Sequence, residues 1–263
     1  MPRVPQDYLD CVVYLYRNEE DANQGQPKGG TGFLVGVPGE ENADLKIFIV
    51  TNAHVAFDSG CNVVRFSRGG KLSICTIESH KWVRHRHGDD VAAARYEHPD
   101  IQSLAYVSIG ALLSHEMIEE FGIRPGMEAF MIGRLTGLDG LQQTNPSIRF
   151  GHLAMMAEPV LRDNGLRQES FLVDLWSLAG YSGSPVFIFE TNSYFRGDHE
   201  NRLHDICLLG INWGFYRKHE PVMNGRSPHT KDTGLWIDGN SGFACVVPGW
   251  KIAELLDEHE LNK

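Results

Sequence analysis

The chain has 263 residues, of which 42% are hydrophobic and 22% charged. At about 150 residues per domain this is a globular chain of one large or two small domains, which excludes a disordered or fibrous protein and one that needs disulfide staples. With 24 basic and 34 acidic residues the net charge is −10, which argues against nucleic acid or an anionic membrane surface as the main partner.

The apolar runs are short and separated by turn residues. Candidate strands are Cys11–Tyr16, Gly32–Val37, Ile47–Asn52, Asn62–Phe66, Leu72–Glu78 and Asp90–Tyr96. The later ones are Met127–Ile132, Arg149–Met155, Ser170–Trp176, Pro185–Phe189, Ile206–Asn212 and Gly242–Val247. Many short strands broken by Gly, Pro, Asn and Asp predict an all-β sandwich or barrel. The helical spacers of a parallel α/β sheet are missing.

Ser114–Phe121 has a helical pattern and is followed by Gly122-Ile123-Arg124-Pro125-Gly126. The break between two halves is placed there, giving 1–120 and 121–263. After Pro248-Gly249, apolar Ile252, Leu255 and Leu256 among charges predict an amphipathic C-terminal helix. Asn18–Gly30, Tyr194–Leu203 and Lys218–Asp232 read as polar, mobile loops.

No apolar run approaches the ~18 residues of a membrane span. The start, Met1 to Asp7, lacks the apolar core of a secretion signal. Cys11, Cys61, Cys75, Cys207 and Cys245 form no C-x-x-C pair, and most lie in apolar surroundings. They read as buried free thiols, which points to a reducing, cytoplasmic location.

Three segments carry chemistry: Thr51-Asn52-Ala53-His54-Val55, Asp89-Asp90-Val91-Ala92-Ala93 and Gly180-Tyr181-Ser182-Gly183-Ser184-Pro185. A serine hydroxyl is a poor nucleophile at neutral pH. It needs a base to take its proton, and the base needs an acid to fix its tautomer. These segments supply Ser182, His54 and Asp90, each at the end of an apolar strand. In such a tight turn the backbone N–H groups of Gly180 and Ser182 would form an oxyanion hole. Asp89 is the rival to Asp90; a strand starting at Val91 puts Asp90 at its mouth. Trp82–His87 with His80 clusters histidines and cations, but no helical H-x-x-x-H or cysteine partner supports a metal site. Gly30–Val35 is not a dinucleotide fingerprint, because no helix follows it. Gly180–Ser184 does not fit the G-x-S-x-G elbow of an α/β-hydrolase.

With these residues in view, the chain resembles the trypsin-like, chymotrypsin-fold serine peptidases, including the bacterial HtrA-like branch. Gly30-Thr31-Gly32-Phe33-Leu34-Val35 resembles the glycine-rich second strand of that family, and Ile49–Val55 its histidine segment. Asp90–Ala93 resembles its aspartate segment, and Gly180–Pro185 its Gly-x-Ser-Gly-Gly-Pro. Arg124–Gly133 resembles the strand opening the second barrel, and Leu208–Gly214 the strand that pairs with substrate. The resemblance runs from about residue 9 to 258.

It implies two six-stranded antiparallel β-barrels, a C-terminal helix, and a site in the cleft between the barrels. It also implies Ser182 as nucleophile, His54 as base then acid, and Asp90 as orienter. The reaction would be peptide-bond hydrolysis through an acyl-enzyme, without metal or other cofactor. The partner would be a protein or peptide substrate, with neither nucleic acid nor membrane, and a monomer is compatible with this. The resemblance leaves no residues for a further domain, so a lone peptidase domain is expected. The specificity pocket falls to Trp176, Asn212, Trp213 and Gly214, with a preference for a neutral or small side chain. Ser184 stands where the family has glycine. Tyr181 stands where the digestive enzymes carry the Asp that receives a freed N-terminus, so activation by that route is not expected. The alternative is a non-catalytic or effector-gated module that grips peptide strands on the same fold.

Overall fold

The computed structural model describes residues 4–39, 45–68, 71–97, 104–138, 140, 143–162, 164–189, 206–225 and 231–261. Tyr194–Leu203 lies outside them.

The first half builds an eight-stranded sheet from β1 (Val12–Tyr16), β2 (Gly30–Pro38), β3 (Leu45–Thr51), β4 (Val63–Arg68), β5 (Lys71–Thr76), β6 (Trp82–Arg84), β7 (Ala92–Tyr96) and β8 (Val107–Ser108). Its order is β5-β4-β1-β2-β3-β7-β6, with β8 pairing parallel to β2. The second half is a closed barrel of β9 (Glu128–Gly133), β10 (Ser147–Leu161), β11 (Arg167–Asp174), β12 (Pro185–Phe189), β13 (Cys207–Asn224) and β14 (Lys231–Pro248). The chain therefore has two mainly antiparallel sheets of double-barrel type. The first is an open half-barrel rather than a closed ring. Between its end strands β5 and β6 the chain is diverted into a turn of 3-10 helix at Ser79–Lys81, and β6 is only 3 residues long.

Among the described residues the α-helices are α1 (Gln6–Asp10), α2 (Glu19–Gln24), α3 (His115–Glu120) and α4 (Gly249–Leu261). Asn18 and Ser114 cap α2 and α3, accepting from Asp21 N–H and Met117 N–H. The stretch expected to be a loop at 18–30 thus contains α2. Of the loop expected at 218–232, residues 226–230 lie outside the described residues, and the rest is instead the outer part of a β13–β14 arm, paired out to Asn224 and Lys231.

The core explains why the strands read as continuous apolar runs. Successive side chains of a strand face opposite ways. On β1, Val13 and Leu15 fill the inside of the first sheet, while Val12, Tyr14 and Tyr16 face the other way. There they join Phe33, Phe48 and Val50 in one cluster with Phe130, Phe187, Leu208 and Val247 of the second barrel and Ile252 and Leu255 of α4. Each such aromatic or aliphatic side chain stabilises by about 1.5–3 kcal/mol on burial. Both faces are buried, so polar alternation is lost.

Polar ties cross the same boundary. The wholly buried Arg134, just after β9, donates to the carbonyls of Lys28 (3.2 Å) and Gln26 and lies 4.2 Å over the Tyr16 ring. Arg65 on β4 is also wholly buried and donates to the Tyr16 hydroxyl (3.2 Å) and the Gly140 carbonyl. All five cysteines are free thiols, and burial pushes Cys11, Cys207 and Cys245 up to about 12. Among the described residues no helix is long and apolar enough to cross a membrane.

Candidate active site

His54 follows β3 and opens a single π-helical turn, His54–Asp58. Asn52, wholly buried, prepares this exit from the strand. Its carbonyl accepts from Val55 N–H and Ala56 N–H at 3.1 Å, and its side-chain amide donates to the Asp90 carbonyl at 2.8 Å. The His54 backbone N–H donates to Asp90 Oδ1 at 2.9 Å, and the ring Nδ1 lies 2.6 Å from Asp90 Oδ2.

Asp90 precedes β7, and its side chain is fully buried. Burial alone would raise its carboxyl. The hydrogen bond and charge of His54, then the Arg162 guanidinium, outweigh that and hold it below the ordinary carboxylate range. An ionised carboxylate only accepts hydrogen bonds. An Nδ1–H of His54 therefore donates to Asp90, and Nε2 is the ring nitrogen that serves as base when the ring is neutral.

Ser182 sits in the turn between β11 and β12. Gly180 (φ +95°) and Gly183 (φ +88°) take backbone angles open to glycine. A Cβ on Gly183 would stand 1.8 Å from the Thr31 carbonyl oxygen. The turn is fixed on several sides. Thr31 N–H donates to the Ser182 carbonyl (2.8 Å), and Thr31 Oγ1 donates to the Gly180 carbonyl (2.7 Å). Gly183 N–H donates to the Asn212 carbonyl (2.8 Å), and Ser184 N–H to the Tyr181 carbonyl (3.0 Å). Gly180 N–H and Ser182 N–H bond nothing among the described residues.

The His54 and Ser182 segments approach each other at Gly30. A Cβ there would meet the Val55 side chain at 2.9 Å and the Ser182 carbonyl oxygen at 3.0 Å. Val55 is the residue after His54, so this glycine lets the two segments approach. His54 and Ser182 are both partly exposed. No hydrogen bond joins the Ser182 hydroxyl to the His54 ring here; in unliganded sites this contact is often long.

The residues expected in the specificity pocket separate. Trp176 is 54% exposed, and its indole nitrogen would be 3.5 Å from a Cβ on Gly242. Trp213 is part-buried and donates from Nε1 to Ser170 Oγ at 2.9 Å. Gly214 has open space where a side chain would be, beside a bulge in the β13–β14 pairing. Asn212 is different: its side chain is wholly buried and donates to the Tyr181 carbonyl (2.8 Å) and Ser177 Oγ (3.0 Å). These bonds tie it to the nucleophile turn. A cavity of about 520 Å³ is lined by Glu128, Arg149, His152, Asp174 and Trp176 among others, away from His54 and Asp90.

Tyr181 is also wholly buried, with its hydroxyl against Ser147 Oγ and 3.3 Å from Arg149 Nε. His85, in the histidine-rich stretch, lies between Asp89 (2.9 Å) and Glu254 of α4 (3.0 Å). Sequence reasoning missed Thr31, Gln168 and Arg162. Thr31 lies in the glycine-rich stretch singled out above, but nothing in the sequence marked its hydroxyl.

No protein-family model and no curated protein matches the chain. Solved structures do. The protease domain of MamO from Magnetospirillum magneticum, in its apo form, matches with a TM-score of 0.55 at 15% identity, over 94% of this chain and 96% of that one. An inactive form of a serine-to-alanine mutant of Rv3671c from M. tuberculosis H37Rv matches with a TM-score of 0.51 at 15% identity, over 96% of this chain and 88% of that one. At such identity the likeness concerns the fold, and the chain has the trypsin-like double-barrel fold.

Proposed function

We propose that the chain is a serine endopeptidase with Ser182, His54 and Asp90 as its triad. The observation that carries this is the doubly bonded His54–Asp90 pair, at 2.6 and 2.9 Å with the carboxylate fully buried, beside a glycine-built turn that presents Ser182. His54 Nε2 takes the Ser182 proton as Oγ attacks the peptide carbonyl. Asp90 stabilises the imidazolium so formed. Gly180 N–H and Ser182 N–H hold the oxyanion. His54 then returns its proton to the leaving amine, and water hydrolyses the acyl-enzyme by the same route in reverse.

Substrate backbone is proposed to pair with β13. That strand pairs with β12 only through Cys207–Ile211, so Trp213 and Gly214 leave an edge for an added strand. Trp176 stands six residues before Ser182, where a preference for Lys or Arg would want an acid, which favours a neutral or small residue before the cut. The buried thiols suit a reducing compartment, and the cytoplasm is the proposed location. The open Ser182–His54 contact favours one second reading, a site that closes only when substrate or an effector binds.

Digestion of a peptide library, with mass spectrometry of the new termini, tests the proposal. Wild type is expected to give cleavage with a neutral or small residue at the cut and Ser182→Ala none. Cleavage by both, or by neither, contradicts the peptidase; binding of peptides without cleavage supports the gripping module.

A further inference from the structure

Asp90 has a third partner. Arg162 Nη2 lies 3.2 Å from Asp90 Oδ2, the oxygen that also meets His54 Nδ1. The two side chains come from different halves. Arg162 sits in the turn between β10 and β11, closed by Arg162 N–H to the Leu166 carbonyl (2.8 Å) and Gly165 N–H to the Arg162 carbonyl (2.9 Å), with Gly165 at φ +81°. Its side chain is only 15% exposed.

The turn is held in place by more than this pair. Gln168 on β11, 1% exposed, accepts from Asp90 N–H at 2.8 Å and donates to Asp89 Oδ1 at 2.6 Å. The guanidinium lies 5.7 Å from the centre of the Trp213 ring. That ring is fixed by Ser170 Oγ, which donates in turn to the Gln168 carbonyl at 3.0 Å. One β-hairpin of the second barrel thus grips the Asp89-Asp90 segment of the first through the Gln168 amide and the Arg162 cation.

We infer that Arg162 is a positioning residue of the site, holding the Asp90 carboxylate in place and setting the pH above which His54 can accept the Ser182 proton. This rests on the triad reading. A cation on the shared oxygen competes with an imidazolium for the same negative charge. Without it, the His54–Asp90 pair keeps its proton to higher pH. The other charges facing this segment are Asp89, paired with His85 and near Lys251 (3.7 Å), and Glu169, near Lys251 (3.9 Å). Arg84 lies over Phe57 on the turn after His54 (3.9 Å). Changing Arg162 leaves all of these in place. Lysine keeps the charge but lacks the planar fork, so Arg162→Lys separates charge from shape.

The test uses the full chain as wild type, Arg162→Met and Arg162→Lys, with Arg162→Gln should the Met variant not fold. Two readouts are followed against pH: the rate of covalent labelling by a fluorophosphonate, and the NMR titration of the His54 ring, assigned with His54→Gln. Arg162→Met is expected to move the acid limb of labelling, and the ring titration, upward by about half a pH unit or more. Arg162→Lys should stay with the wild type. An unmoved Arg162→Met, or equal movement in the Met and Lys variants, overturns the inference and leaves Arg162 a structural residue. If wild type does not label at all, the peptidase reading fails; the ring titration still decides for or against Arg162.

Discussion

Asn212 shows how little of this site is free to vary. Its backbone N–H donates to the Ser184 carbonyl, its carbonyl accepts from Gly183, and its amide spans the Tyr181 carbonyl and Ser177 Oγ. All four contacts lie in the turn that presents Ser182. Asn212→Ala keeps the backbone pair and removes the amide, leaving buried acceptors short of a donor. The expected cost is about 1–3 kcal/mol, read from the urea midpoint. Fluorophosphonate labelling should slow by more than the lost stability explains, because the turn loosens around the nucleophile. An unchanged labelling rate would show that the turn does not depend on this amide. Of the candidate site, the His54–Asp90 pairing and the glycines of the Ser182 turn were legible in the sequence, because the His and Asp stand at strand ends and Gly180 and Gly183 take backbone angles open to glycine. Arg162 and Gln168 were not. Their role arises from one hairpin packing on the other half of the molecule, and no spacing in the chain records that. Asn212 was legible as a site residue, but which way its side chain points depends on the bulge in β13.

At the scale of elements, strand cores were readable and their ends were not. β12 matches its expected limits, because Pro185 starts it and its five residues are all buried. β13 and β14 run far beyond theirs, since their outer described residues are exposed and are held by strand pairing and surface pairs such as Arg217–Asp238 and His219–Asp238, which no buried apolar run announces. α2 was hidden because it is polar, with only Ala22 buried among its residues. α4 was legible from its apolar stripe, and its docking carries a pH signature. Both ring nitrogens of the buried His85 face carboxylates, Asp89 and Glu254, and Arg86 pairs with Glu258 at 2.7 Å. Burial opposes a charge on His85, but these two carboxylates outweigh it and raise His85 above its ordinary value. Its contribution to stability is therefore full below the ordinary imidazole range and is lost as pH rises through the higher folded value. Asp89 acts in the opposite sense. Burial would raise it, but His85, Gln168 and Lys251 lower it, so its share is lost only in acid. The urea midpoint of His85→Gln is expected to fall furthest below wild type near pH 6 and to approach it as the pH rises above the folded value. A gap that widens toward alkaline pH would contradict the charged pairing.

At the scale of the whole molecule, the two halves are joined where the chemistry is proposed. Thr31 bonds the nucleophile turn, Gly30 admits it beside Val55, and Arg134 and Arg65 close the seam further out. One apolar cluster runs from β1 through the second barrel into α4. The fold class was legible because short apolar strands with turn residues between them fit little else. That the first sheet stays open was not, because it depends on where the chain turns between β5 and β6. The central claim is that residues from both halves act as one unit on Ser182. The measurement that tests it most directly is the intact mass after a fluorophosphonate, with the adduct mapped, for wild type and for Ser182→Ala, His54→Ala and Asp90→Asn. The account predicts one adduct per chain on Ser182 in the wild type and none in Ser182→Ala. His54→Ala and Asp90→Asn should label slower by about 10³-fold or more. A folded wild type that takes no adduct, or an adduct that forms as fast without His54, would contradict it.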